Sequence, residues 1–162
     1  MRHLPRWSLE TLSAHVADPR PQVYRLDDLV HARTDDDVWN AAQRQFLLDG
    51  WMHNNLRMYW VKQFLKWLPT PQQAWAAAVW INDHLSLDGR DASTYAGIRW
   101  GFGEAKRGYR ELPIYGWVPP KSDRAIRNRT GMTNWVAEMN ARPMIKVSVN
   151  ERRAMRMYSP GC

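Results

Sequence analysis

Apolar residues recur at steps of three and four through most of the first hundred positions, the period of helices buried on one face. Trp7, Leu9, Leu12 and Val16 share such spacing and predict a short helix, which Asp18-Pro19-Arg20-Pro21 ends. Leu26 to Ala32 predicts another turn or two. Thr34 or Asp35 is placed to cap a longer helix with Asp36 and Asp37 in its first turn, where carboxylates suit the helix dipole. That helix carries Val38, Trp39, Ala42, Phe46 and Leu47 and stops at Gly50. The next runs from about Met52 to Leu68 without Gly or Pro and ends before Pro69. Thr70-Pro71-Gln72-Gln73 is a start signal, with Thr as N-cap, Pro in the first turn and Gln three residues on. The helix it opens carries Trp75, Val79 and Asn82 on one face. A polar loop, Leu87-Asp88-Gly89-Arg90-Asp91, precedes a fourth long helix near Ser93 with Tyr95, Ile98 and Trp100; Gly101 and Gly103 then loosen the chain. No alternating strand pattern and no internal repeat occurs, so the predicted class is all-α.

Within the Met52–Leu68 helix, His53, Arg57, Trp60, Phe64 and Trp67 form one stripe. Trp60 and Trp67 lie two turns apart, about 10 Å along the axis. An aromatic core stripe explains most such pairs. A path for electron hopping between indoles is the sharper reading. Arg57 is the exception in the stripe, because a buried guanidinium requires a carboxylate or an anionic ligand. Asp88 and Asp91 in the following loop are the candidates. As a metal loop, Asp88 to Asp91 offers too few ligands.

Length, charge and composition narrow the function. The 162 residues suit one domain with a core of its own. A single cysteine, Cys162, excludes a disulfide scaffold and a cysteine-rich zinc site. The five histidines are scattered, so no metal site is expected. No apolar run reaches the roughly 20 residues of a membrane span, and Met1 to Pro5 opens no secretory signal, so the expected location is the cytoplasm. No nucleotide-binding Gly-rich loop, HExxH or GxSxG is present. The net charge is +7, and the stretch 121–162, with Pro143 and Pro160, carries nine Lys/Arg against three Asp/Glu. We read 1–120 as the helical body and 121–162 as a basic, mostly irregular segment of the same domain with one short helix. Arg124, Arg127 and Arg129, between Trp117 and Trp135, favour contact with nucleic acid: cations for phosphates, indoles for bases. A solvated basic face is the plainer alternative.

Several stretches in order resemble the helical FAD-binding half of DNA photolyases. They are Trp39-Asn40-Ala41-Ala42-Gln43, Gly50-Trp51-Met52-His53-Asn54, Leu56-Arg57-Met58-Tyr59-Trp60, Trp67, Ile81-Asn82-Asp83, Leu87-Asp88-Gly89-Arg90-Asp91 and Trp100. The run Arg57-Met58-Tyr59-Trp60 and the Asn82-Asp83 before the loop look most like class II cyclobutane pyrimidine dimer photolyases. The resemblance covers about residues 7–135 and implies a C-terminal catalytic half shortened at its N-terminal side. It lacks the α/β antenna domain and the Ser/Thr-rich segment that holds the FAD phosphates.

The family uses light absorbed by reduced FAD to split a pyrimidine dimer flipped out of DNA. The resemblance implies that Arg57, paired with Asp88 and near Asp91, lies beside the flavin. It implies that Asn82 faces flavin N5, and that Trp67, Trp60 and Trp39 relay electrons to the flavin from the surface. It further implies that Met58 and Trp100 contact the dimer in UV-damaged DNA, and that Asn54 stands where class I enzymes place a lesion-binding asparagine and class II enzymes usually have Gly. A separately encoded N-terminal half is an implied partner. A non-catalytic flavin- or DNA-binding module and a cryptochrome-like light sensor remain as alternatives.

Overall fold

A computed structural model describes residues 1, 3–150 and 153–154; Pro160 and Cys162 lie outside the described residues. Among these the chain forms eight helices and no strand. They are α1 (Arg6–Ala14), α2 (Leu26–Val30), α3 (Asp37–Asp49), α4 (Asn54–Trp67), α5 (Pro71–Leu85), α6 (Ala92–Gly101), α7 (Arg124–Arg127) and α8 (Met132–Ala141). The all-α class read from the sequence is the class observed. None of the described helices is long and apolar enough to cross a membrane.

Local chemistry sets the helix ends. Asp36, not Thr34 or Asp35, caps α3: its carboxylate accepts from Trp39 N at 2.9 Å. Thr34 is occupied otherwise, its hydroxyl donating to Asn40 Oδ1 at 2.8 Å. Gly50 closes α3 with φ of 66°, a left-handed conformation that glycine adopts without strain. α4 begins two residues later than the sequence predicts, because His53 Nδ1 accepts from Asn55 N and acts as its cap. Thr70 caps α5 and Asp91 caps α6, accepting from Gln73 N and Ser93 N.

α4 is the central element. Tyr59, Trp60, Val61, Phe64, Leu65 and Trp67 are all buried, and α3, α5 and α6 pack around it. α6 approaches α4 very closely. A Cβ on Gly101 would fall 2.1 Å from Val61 Cγ1, so only glycine permits this contact. One turn earlier Gly97 faces Arg57, with 3.6 Å between an added Cβ and Arg57 Cδ.

Among its described residues the basic segment contains α7 and α8, where the sequence predicts one short helix. α8 packs along α3, where Asn140 Nδ2 donates to the Asp37 carbonyl at 2.9 Å and Arg142 forms a two-pronged ion pair with Asp49. The face of α8 toward α3 buries Val136 and part of Trp135 and Met139.

Candidate functional site

Two features converge on α4: an open cavity beside Arg57 and an aromatic path leading away from it. The cavity measures about 540 Å³ and is walled by Trp51, Asn54, Arg57, Asp88 and Thr94, among others. This lies within the range of about 300–1,000 Å³ usual for small-molecule and cofactor pockets. Arg57 is buried, and its guanidinium lies over the Phe46 ring, 5.4 Å from the centroid. One nitrogen donates to Asp88 Oδ1 at 3.4 Å and another to Asn82 Oδ1 at 3.5 Å. Both contacts are at the long limit for a hydrogen bond. The Ser86 hydroxyl and the Arg57 charge hold the Asp88 carboxyl below the usual carboxylate range, against the opposing effect of burial. Of the two aspartates the sequence offers to Arg57, the structure selects Asp88; Asp91 is taken up as the cap of α6.

Asn82 is 1% exposed and faces inward. Its Nδ2 donates to the Gly89 carbonyl at 2.5 Å and to Thr94 Oγ1 at 3.2 Å. Gly89 permits this closure, since a Cβ there would meet the Asn82 carbonyl oxygen at 2.3 Å. Asn82 therefore stands behind Arg57 and orients it, and does not line the cavity.

The aromatic path begins one turn further along α4. Trp60 and Trp39 are stacked with centroids 6.3 Å apart and planes 6° from parallel. Trp39 meets Trp67 edge to face at 5.2 Å, and Trp67 meets Tyr24 at 5.3 Å. Phe64 braces the stack, edge-on to Trp39 at 5.7 Å and to Trp60 at 4.7 Å. Phe46 links the other end, touching Trp60 at 5.5 Å while lying under Arg57. Both buried indole N–H groups are satisfied: Trp39 Nε1 donates to the Trp60 carbonyl at 3.0 Å, and Trp60 Nε1 to Gln43 Oε1 at 2.8 Å. Trp67, with Tyr24, lines a separate cleft of about 740 Å³. The path thus runs from the Arg57 cavity to a second opening. Trp39, supplied by α3, lies between the two tryptophans that α4 carries.

Over 133 residues the chain is 41% identical to the deoxyribodipyrimidine photolyase of Methanothermobacter thermautotrophicus, covering 82% of this chain and 30% of that one. It is 40% identical to the enzyme of that name from Oryza sativa subsp. japonica and 41% identical to the one from Potorous tridactylus, each over 113 residues. The chain belongs to the photolyase family. It spans 21–30% of the length of these curated relatives. No family model matches it.

Among the lesion-side positions that family resemblance marks, Asn54 is exposed at the rim of the Arg57 cavity as the first residue of α4. Met58 is half-buried one turn on, and Trp100 is 52% exposed on α6. The three basic residues separate. Arg127 is tied to Asp123 at 3.1 Å and to Asp37, on the side of the Trp67 cleft. Arg124 and Arg129 are exposed, and Arg129 faces a third cleft beside Trp51. Trp117 does not flank them; it stacks with Arg107, whose guanidinium lies 4.7 Å from its centroid. No group of three or more potential metal ligands occurs among the described residues.

Sequence reasoning assigned no role to four buried residues around this site. Phe46, which the sequence marks only as a residue of the apolar period of α3, joins Arg57 to Trp60. Gln43, a polar residue on the buried side of α3, holds the Trp60 indole and donates to the Val30 carbonyl at 3.1 Å. Its polarity at a helical step from Trp39 was the available signal. The buried Tyr59 hydroxyl donates to the same Asp36 carboxylate that caps α3, and burial with this carboxylate pushes the phenol pKa far up. Lys62 is also buried, donating to the Gly101 and Pro119 carbonyls, and burial lowers its pKa to about 8.

Proposed function

We propose that this chain carries the flavin-ring site and electron relay of a light-driven, FAD-dependent photolyase acting on cyclobutane pyrimidine dimers in DNA, most similar to class II. The observation that carries this reading is the unbroken Trp60–Trp39–Trp67 path, which begins one helical turn from Arg57 and reaches a second opening at Trp67.

The cavity residues fit a flavin ring in part. Arg57 is buried and charged, and its contacts to Asp88 and Asn82 are long, so it keeps donor capacity that the carbonyl oxygens and ring nitrogens of a flavin would use. Asp88 and Asn82 fix the guanidinium in place. Asn82 itself is engaged with Gly89 and Thr94, so in this conformation its role is to position Arg57, in place of direct contact with N5. When bound, FAD supplies the light-absorbing, electron-donating group. Toward such a group, which would also accept an electron when photoreduced, Trp60, Trp39 and Trp67 would serve in that order as the donors leading in from the Trp67 opening. The buried hydrogen bonds of Trp39 and Trp60 hold the rings in contact throughout. Asn54, Met58 and Trp100 form the side offered to a flipped dimer, and Arg124 and Arg129 add phosphate contacts. A separately encoded N-terminal half supplies the cradle for the FAD phosphates, and the assembly works in the cytoplasm.

A second reading, a flavin- or DNA-binding module or light sensor without repair, draws support from the inward-turned Asn82. Adding FAD to the protein and following its fluorescence tests the ring site. Quenching that Arg57→Gln weakens at least tenfold supports it, and unquenched fluorescence contradicts it. Light-dependent loss of dimers from an irradiated oligonucleotide then separates the two readings.

A further inference from the structure

Asp36 joins the two helices that carry the relay. One carboxylate oxygen accepts from Trp39 N at 2.9 Å at the start of α3, and the other accepts from the buried Tyr59 hydroxyl of α4. Asp36 also shares with Trp67 and Tyr24 the walls of the cleft of about 740 Å³. The cations of that cleft are Arg127, Lys121 and Lys66. Arg127 is tied to Asp37 and Asp123, and Lys121 Nζ donates to the Asn55 carbonyl at 3.2 Å. Among the described residues no ion pair takes up Asp36. Asp35, on the same cleft, is exposed, so water screens it more than the half-buried Asp36.

Two phenols register this charge. Burial and then the Asp36 carboxylate push the Tyr59 phenol far up. Burial, the Asp35 side chain and the Asp36 charge hold the Tyr24 phenol above its ordinary value, against the hydrogen bond from Asp35 N. Tyr24 is the ring that meets Trp67 edge to face at 5.3 Å. Negative potential therefore reaches the Trp67 end of the path. The other end has the opposite sign. The buried Arg57 guanidinium lies 5.4 Å from the centroid of Phe46, which touches Trp60 at 5.5 Å. Its counter-charge, Asp88, is about half exposed and 3.4 Å away, so water weakens the compensation.

An indole that loses one electron becomes a cation. That cation is stabilised near a half-buried carboxylate and destabilised near a guanidinium. We infer that Asp36 is a positioning residue for this cation: its carboxylate favours movement of the positive charge outward from Trp60, through Trp39, to Trp67. Each step moves one electron inward, from Trp39 to the Trp60 cation and then from Trp67 to the Trp39 cation. No proton moves. The role rests on the relay proposed above, in which the oxidant is a photo-excited flavin.

The test uses the full chain without flavin. Azide radicals made by pulse radiolysis take one electron from tryptophan, and peptide mapping by mass spectrometry reads the oxygen then fixed at each indole. Trp60 and Trp67 are 1% and 3% exposed, so access to solvent does not separate them. The unaltered chain should fix more oxygen at Trp67 than at Trp60. Asp36→Asn keeps a capping side chain and removes the charge, and should lower the ratio of Trp67 to Trp60 oxidation at least threefold. Asp36→Ser, also a capping residue, gives the same reading if the first variant does not fold. Tyr59→Phe removes the hydroxyl but keeps the charge, and should leave the ratio within twofold of the unaltered value. An unchanged ratio in the folded Asp36 variant would overturn the proposal. So would an equal fall in Tyr59→Phe, which would show a structural role only. No flavin enters the measurement, so a protein that binds no FAD would contradict the flavin-ring site and leave this result standing.

Discussion

Trp39 and Trp60 come from different helices, yet their ring planes lie within 6° of parallel and their indole N–H groups are held by buried acceptors. The pair joins α3 to α4 and forms the cavity-side end of the proposed relay. Replacing Trp39 by Ala removes a side chain with no exposed surface and leaves a large cavity between the helices. A loss of about 3–5 kcal/mol is expected for such a truncation. Urea unfolding followed by circular dichroism measures it, and a loss below 1 kcal/mol, on the order of a surface change, would mean the stack is not packed as described.

The α4–α6 contact offers a sharper contrast. Gly101→Ala forces a methyl group into Val61 and should cost about 1–3 kcal/mol. Gly97→Ala meets only ordinary contact distance to Arg57 and gains helix propensity, so it should be neutral or stabilising by up to about 1 kcal/mol. Equal effects of the two substitutions in thermal unfolding would contradict the close approach at Gly101.

Much of this architecture was legible in the residues. Thr70-Pro71 and Gly50 marked helix ends because capping chemistry is local. The stripe on α4 gave the buried face, and a guanidinium in that stripe required an acid, which is Asp88. The order of the aromatic rings was not legible. Spacing along one helix places Trp60 and Trp67 as a pair, and only the packing of α3 inserts Trp39 between them. Asn82 shared a face with Val79, as the sequence implied, but its inward hydrogen bonds depend on Gly89 closing over the end of α5. The start of α4 was misjudged because a histidine cap is rare, and α8 because its amphipathic face becomes apparent only against α3.

A clamp at the far end of α1 predicts a pH dependence. His15 sits between Asp18, at 2.6 Å, and Glu111, at 3.1 Å, and Asp18 also accepts from Ile114 N at 2.7 Å. The hydrogen bond to Asp18, then that to Glu111, raises the His15 pKa above its ordinary value. The Ile114 amide and then His15 lower that of Asp18. For His15 the folded pKa exceeds the unfolded one, so its stabilisation is full below about pH 6.5 and is lost as pH rises through the raised value. For Asp18 the stabilisation is present above about pH 4 and is lost as pH falls through the lowered value. Stability should therefore decline from pH 6 to pH 8 in the unaltered chain relative to His15→Gln. Parallel stability profiles of the two proteins across this range would contradict the clamp.

Arg57 and Asp88 can be separated by substitution. Asp88 is about half exposed, so Asp88→Asn should leave the fold intact while loosening the guanidinium. Flavin affinity should fall about three- to tenfold, with Arg57→Gln falling further. Isothermal titration with FAD reads both. An Asp88→Asn protein that binds FAD as tightly as the unaltered chain would show that Asp88 does not position Arg57 for the ring.

The most direct test of the relay is flavin photoreduction in the FAD-loaded protein under blue light with an external reductant, followed by visible absorption. The unaltered chain should lose the oxidised-flavin bands within the illumination. Trp39→Phe, which keeps an aromatic ring but not a readily oxidised indole, should slow this at least tenfold, and Trp67→Phe should do likewise. Photoreduction that proceeds equally fast in Trp39→Phe would contradict the Trp60–Trp39–Trp67 path.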